Sequence, residues 1–157
     1  QIEKVLGQFL GVSRFIWLKG GIEGDDTDGH VDDVARFVSE KTVVCAVEED
    51  RADANYEVLR DNYEILRSSS AHDGSPLRVV SLPMPRSFPE PVPASYTNFY
   101  IGNGVVLVPT FSDPADGRAI RTLRSVFPGR EVLGIECSEM IRGMGAIHCV
   151  SQQLPSP

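Results

Sequence analysis

One order of elements can be read twice in this chain, and it limits the possible folds more than any other feature. The first copy opens with ARFV (35–38), turns at SEK and returns as TVVCAV (42–47). Both runs are short and β-branched or aromatic, which is the pattern of a hairpin. Tyr56, Leu59, Tyr63 and Leu66 then recur at helical spacing within a segment from Asp53 to Arg67. RVVSL (78–82) closes the unit with a further strand. The second copy runs NFYI (98–101), a turn at Gly102-Asn103-Gly104, and VVLVP (105–109). An Asn-Gly pair between apolar runs is a strong hairpin signal. Asp113 is placed to cap a helix with Pro114 at its first position. Ala119, Ile120, Leu123 and Phe127 form its apolar face, Pro128-Gly129 stops it, and EVLGI (131–135) closes the unit. From Thr42 to Val105 the two copies stand 63 positions apart. The expectation is an α/β fold of repeated ββαβ units, stacked radially or in line.

The ends extend the pattern. EKVLGQFLG (3–11) reads as a helix and RFIWL (14–18) as a closing strand, so residues 1–23 look like the end of one unit. Residues 24–82 and 83–136 form the two complete units, and residues 137–157 add a loop and an opening strand, AIHCVSQQ. About two and a half units leave unpaired strand edges, which favour self-association.

Composition narrows the function classes. The chain has 157 residues, 41% hydrophobic and 24% charged, enough for one domain with a real core. A net charge of −7 argues against nucleic acid and suits a cationic ligand. No apolar run approaches the roughly 20 residues of a membrane span. Three cysteines, Cys45, Cys137 and Cys149, show no CxxC spacing, so reduced thiols in the cytoplasm are expected.

Each complete or partial unit is followed by a loop, and the three loops are expected to emerge on one face. They are GDDTDGHVDD (24–33), PMPRSFPEPVPASYTN (83–98) and CSEMIRGMGAIHC (137–149). His30 and Cys149 could thereby converge. A cysteine with a histidine and an aspartate is a nucleophile set. If residues 30–32 are extended, His30 and Asp32 share a face, and carboxylates suit a guanidinium through paired hydrogen bonds. Gly143 and Gly145 would let backbone approach a ligand. Blander readings stand beside this one. The Asp-rich loop could be a solvated turn, and Cys149 a structural thiol. The EF-hand register fails, because Gly24 and Ala35 would occupy its end positions. His30, His72, His148 and the cysteines lack zinc-ligand spacing. Cys45 is expected in the core, Cys137 in a structural or surface role, and Trp17 in the core. His148, alternating with Cys149 on a strand, should face away from the site.

The stretches WLKGGIEGDDTDGHVDDVARFV (17–38), PASYTNFYIGNGVVLVP (93–109), FPGREVLGIECSEMI (127–141) and GAIHCVSQQLP (145–155) resemble the agmatine deiminase family and its relatives, the bacterial-type peptidylarginine deiminases. The resemblance implies part of the five-bladed β/α propeller of the pentein fold. It also implies hydrolysis of agmatine to N-carbamoylputrescine and ammonia, as in putrescine biosynthesis, with no metal or other cofactor. Carried over, Cys149 is the nucleophile, His30 the general acid and base, and Asp32 a grip on the guanidinium. Asp26 and Gly145 are weaker candidates for substrate contact. Only the C-terminal part of the family is matched. The remaining part supplies an Asp and a Glu to the pocket, so the expected partner is a missing N-terminal half or a second copy in a dimer. The family's glycine run and Asn before the cysteine are replaced at Met144 and Ala146. Alternatives are a deiminase of peptidyl-arginine or arginine, or an inactive fragment that self-associates.

Overall fold

The computed structural model describes residues 1–27, 29–86 and 88–154. Both repeated units are present and share one topology. In the first, β1 (Ala35–Ser39) pairs antiparallel with β2 (Thr42–Val47), and α2 (Tyr56–Ser68) carries the chain over to β3 (Arg78–Pro83), parallel to β2. In the second, β4 (Tyr100–Ile101) pairs antiparallel with β5 (Val105–Thr110), and α3 (Asp116–Val126) leads to β6 (Glu131–Glu136), parallel to β5. Each sheet therefore has three strands with the hairpin's second strand in the centre. The central strands are where the sequence is most apolar, and Val43, Val44, Cys45, Ala46, Val106 and Val108 are all buried. Cys45 is core, as expected, and burial pushes its thiol up to about 12.

Two cores form, one under each unit. Leu59 and Leu66 of α2 seal the first against β2. Ala119 and Leu123 of α3 seal the second, and that cluster also takes in Val44 and Leu82 from the first sheet. Shared packing, rather than a linker, joins the units.

The ends depart from expectation. α1 (Ile2–Leu10) forms as predicted and stops at Gly11, whose φ of 66° is the left-handed cap that glycine adopts without a Cβ clash. Residues 14–18 do not form a strand. Side chains tie this segment down instead. Arg14 donates to the carbonyls of Ser70 and Ala71, and Lys19 N–H donates to Asn62 Oδ1 at 2.6 Å. Asn62 Nδ2 returns a bond to Gly20 O at 2.9 Å. A fully buried asparagine on α2 thus replaces a sheet ladder. Trp17 is 55% exposed rather than core, and its indole N–H donates to Glu3. NFYI shortens to a two-residue strand because residues 95–98 form a turn, closed by Asn98 N–H to Ser95 O at 3.3 Å. AIHCVSQQ is not a strand either. Residues 147–150 form a turn in which Ser151 N–H reaches His148 O at 3.0 Å. None of the described helices is long and apolar enough to cross a membrane.

Candidate active site

The three loops do converge. Gly24 of the first loop lies against the backbone of the second, where an added Cβ would fall 2.8 Å from Val92. Gly21 and Gly29 touch in the same way, with an added Cβ on Gly21 only 2.6 Å from Gly29 Cα. These glycines let the acidic loop fold back on itself and on its neighbour.

Residues 31–33 then make one turn of 3-10 helix, not extended chain. The turn sends His30 and Asp32 to different partners, which corrects the shared-face expectation. His30 N–H donates to Asp25 Oδ2 at 2.6 Å, and its ring Nδ1 lies 3.4 Å from Asp25 Oδ1. Burial pulls the Asp25 carboxyl upward, but the bonds from His30 and Thr27 outweigh it and leave it below the usual range. Asp25, which no sequence signal marks, is thus the histidine's orienting partner. Asp26, the sequence's weaker candidate for substrate contact, is exposed.

Asp32 faces the cysteine loop. Its Oδ2 meets His148 Nδ1 at 2.6 Å, and the Cys149 thiol donates to it at 3.6 Å. Burial raises the Asp32 carboxyl, while the bond and charge of His148 win and hold it below its ordinary value. His148 therefore points toward the site, contrary to the strand-based expectation, because consecutive side chains on a turn do not alternate between two faces.

Cys149 is the one exposed cysteine of three; Cys45 and Cys137 are buried. Burial of the sulfur and the carboxylates of Asp32 and Asp33 raise its thiol, opposed by hydrogen bonds from Asn98 and Ala146. Gly145 backs directly onto it. A Cβ there would stand 2.7 Å from Cys149 Cβ and 3.2 Å from Sγ. The glycine thus makes room for the cysteine itself. Met144 takes φ 67°, a left-handed conformation that costs a residue with a Cβ roughly 1–2 kcal/mol.

Asp33 lies between the two halves, 1% exposed. Burial and the neighbouring Asp32 charge push its carboxyl up to about 7. Ligand-type atoms of Asp25, His30 and Asp33 fall within 4.8 Å of one another, as do those of Asp32, Asp33 and Cys149. Either group has cation-binding donors, yet those donors already bond each other, His148 and Asn98. Chemically, the arrangement offers an exposed thiol, two histidines and a set of largely buried carboxylates beside them, suited to a planar cation. Asp33, Asn98 and His148 do not stand out as site residues in the sequence. Their signal is the clustering of polar residues at loop ends, masked when Asn98 and His148 are read as strand positions.

Residues 1–155 match the profile of the Porphyromonas-type peptidyl-arginine deiminase family. A Latilactobacillus sakei protein provisionally named an agmatine deiminase is 35% identical over 99% of this chain and 48% of its own length. The structure of the Enterococcus faecalis agmatine deiminase, described as catalysing its reaction, superposes with a TM-score of 0.92 at 33% identity, over 98% of this chain and 48% of that one. A Cys-to-Ser variant of the C. jejuni agmatine deiminase with substrate bound superposes at 0.84 and 30% identity, over 94% of this chain and 44% of that one. The chain spans about half the length of the curated relatives it matches. A profile matched along almost every residue, on the same α/β fold as solved deiminases, makes this chain a member of the Porphyromonas-type peptidyl-arginine deiminase family.

Proposed function

We propose that the chain carries the nucleophile side of a deiminase site that hydrolyses the guanidinium of agmatine. The supporting observation is the meeting of Cys149 with Asp32 at 3.6 Å, both within 4.8 Å of an Asp33 oxygen, while a ring nitrogen of His30 also comes within 4.8 Å of Asp33. Cys149 loses its proton to solvent as the cationic substrate draws up, its Sγ attacks the guanidinium carbon, and the C–N bond to one amino nitrogen breaks as His30 protonates that nitrogen to leave as ammonia. The resulting thiouronium carbon then takes water, whose proton passes to His30. The C–S bond breaks as the remaining hydroxyl proton passes to sulfur, releasing N-carbamoylputrescine and restoring the thiol. Asp32 holds guanidinium nitrogens through the reaction. The raised thiol fits a cationic substrate, since a guanidinium beside the sulfur favours the thiolate. In the full assembly two and a half units would be completed to a five-bladed propeller by the rest of a relative's length. Asp26 and Gly145 remain weaker candidates for contact with the substrate.

Ammonia release from agmatine, arginine and a blocked arginine peptide tests the reading. Agmatine should be preferred, and Cys149→Ala should lower turnover about 1000-fold or more. Turnover that survives Cys149→Ala would overturn the mechanism, and preference for the peptide would reassign the substrate to peptidyl-arginine, which the family's name favours.

A further inference from the structure

The proposed chemistry gives His148 no task, yet its ring grips the carboxyl that is to hold the substrate. Nδ1 meets Asp32 Oδ2 at 2.6 Å, in a pair whose side chains are 29% and 17% exposed. The cysteine turn does not need this bond to keep its shape. His148 N–H is shared between Asn98 Oδ1 at 2.9 Å and Asn98 O at 3.2 Å. His148 O accepts from Ser151 N–H at 3.0 Å and from Ser151 Oγ at 2.9 Å. The backbone fastens residue 148 on both sides and leaves the ring to act on Asp32.

What the ring changes is the balance between two neighbouring carboxyls. Asp32 and Asp33 have oxygens within 4.8 Å of each other and of Cys149 Sγ. Like charges that close resist ionising together, so the carboxyl with the better donors keeps the charge. Asn98 Nδ2 serves both, Asp32 at 3.1 Å and Asp33 at 2.8 Å, and does not tell them apart. Arg36 adds its positive field at Asp32, but its Nη1 is bound to the carbonyls of Thr97 and Phe99. The His148 ring bonds Asp32 and, among the described residues, not Asp33. Burial works against both carboxyls. Only at Asp32 do the bond and charge of His148 overcome it, while Asp33 is pushed up to about 7.

The two oxygens of Asp32 are divided as well. Oδ2 receives the ring, the Asn98 amide and the Cys149 thiol, and none of these three touches Oδ1. A carboxylate has room for about four hydrogen bonds, so three donors on one oxygen leave the capacity at the other.

We propose that His148 is a positioning residue for substrate recognition: its Nδ1–H holds Asp32 as the carboxylate that takes the guanidinium, with Oδ2 committed to the protein and Oδ1 left for the substrate. The inference rests on Asp32 being the guanidinium grip, and adds how that grip is kept charged and aimed. A carboxylate only accepts, so the ring hydrogen must sit on Nδ1. Were Asp32 protonated, the same contact would run the other way, from the carboxyl to a bare Nδ1.

The position of that hydrogen is the first test. The chain has three histidines, His30, His72 and His148. Side-chain 15N spectra of histidine-labelled protein separate them, with His30→Gln and His72→Gln assigning the other two. At pH 8, Nδ1 of His148 should carry a hydrogen in the wild type and lose it to Nε2 in Asp32→Leu. A bare Nδ1 in the wild type would overturn the proposal. The second test is calorimetry of agmatine binding to the Cys149→Ala protein. Adding His148→Leu should weaken binding about tenfold or more. His148→Asn, whose amide nitrogen can stand where Nδ1 stood, should recover most of that loss. Equal affinity in all three would overturn the proposal as well. Cys45 and Cys137 are fully buried, so their labelling by iodoacetamide reports a variant that unfolds, and the wild-type spectrum then decides. Absence of agmatine binding would count against Asp32 as the grip, the reading beneath the inference, and leave the Nδ1 hydrogen to decide the contact. Turnover that survives Cys149→Ala would instead sink the catalytic reading and leave both results standing.

Discussion

Asp33 is the site's least comfortable residue. It is 1% exposed, sits beside the Asp32 charge and receives one amide bond, from Asn98 at 2.8 Å. Its folded carboxyl is raised to about 7 from an ordinary 3.8. A carboxyl raised in this way binds more protons folded than unfolded, so stability falls as pH rises between those two values. Asp25 and Asp32 are lowered, so their linkage acts below 3.8, outside that window. Asp33→Asn keeps an oxygen for the Asn98 bond and removes the titration. Denaturant melts from pH 4 to 7 should show the wild type losing a few kcal/mol relative to Asp33→Asn, at about 1.4 kcal/mol for each pH unit crossed. Parallel curves for the two proteins would show that the carboxyl is not raised. At this scale the sequence disclosed the groups that carry the chemistry, Cys149, His30 and Asp32. It concealed the groups that aim them. Asp25, Asn98 and His148 sit at turns, and a turn has no periodicity from which a side-chain direction can be read.

At the scale of elements, alternation and helical spacing work well wherever burial is one-sided. Both hairpins, both crossover helices and both closing strands stand within a few residues of expectation, since each has an apolar face to hide. Residues 14–18 and 146–153 read as strands from the same residue types, yet each is fastened by side chains or turn bonds rather than by a ladder. Composition cannot tell a strand from a segment held that way. Within the second unit, the contact of α3 with β6 depends on a glycine. A Cβ on Gly134 would fall 2.9 Å from Thr110 Cγ2 and 3.0 Å from Ile120 Cδ1. Thr110 belongs to β5 and Ile120 to α3, so one methyl would press on the paired strand and the covering helix together. Gly134→Val should therefore cost about 1–3 kcal/mol through overpacking. Hydrogen exchange should speed up in β5, β6 and α3 while β2 and α2 keep their protection. Equal loosening of both units would show that the shared core, not the Gly134 contact, governs the second sheet.

At the scale of the whole molecule, the apolar surface is unevenly spent. α1 presents Ile2, Val5, Phe9 and Leu10 at helical spacing, exposed by 65%, 47%, 83% and 66%. Nearby, Trp17, Val31 and Phe37 are each more than half exposed, and a cavity of about 430 Å³ opens between Leu6, Trp17 and Val31. On the second sheet, Leu133 and Ile135 of the outer strand β6 are 39% exposed. An amphipathic helix whose apolar stripe meets water gains free energy by covering it, about 25 cal/mol for each Å² removed from solvent. The chain spans about half the length of the curated relatives it matches. For the 157-residue chain of 17.2 kDa by itself, the apolar surface on offer is that of another copy. Sedimentation velocity over a wide concentration range should therefore show mass rising above the monomer. Phe9→Glu with Leu10→Glu should return it toward 17.2 kDa without changing the rate at which iodoacetamide alkylates Cys149, because α1 has no hydrogen bond to the site's carboxylates, Asn98 or the cysteine turn among the described residues. A concentration-independent monomer in the unaltered chain would mean that the stripe stays hydrated, and that α1 contributes little to assembly.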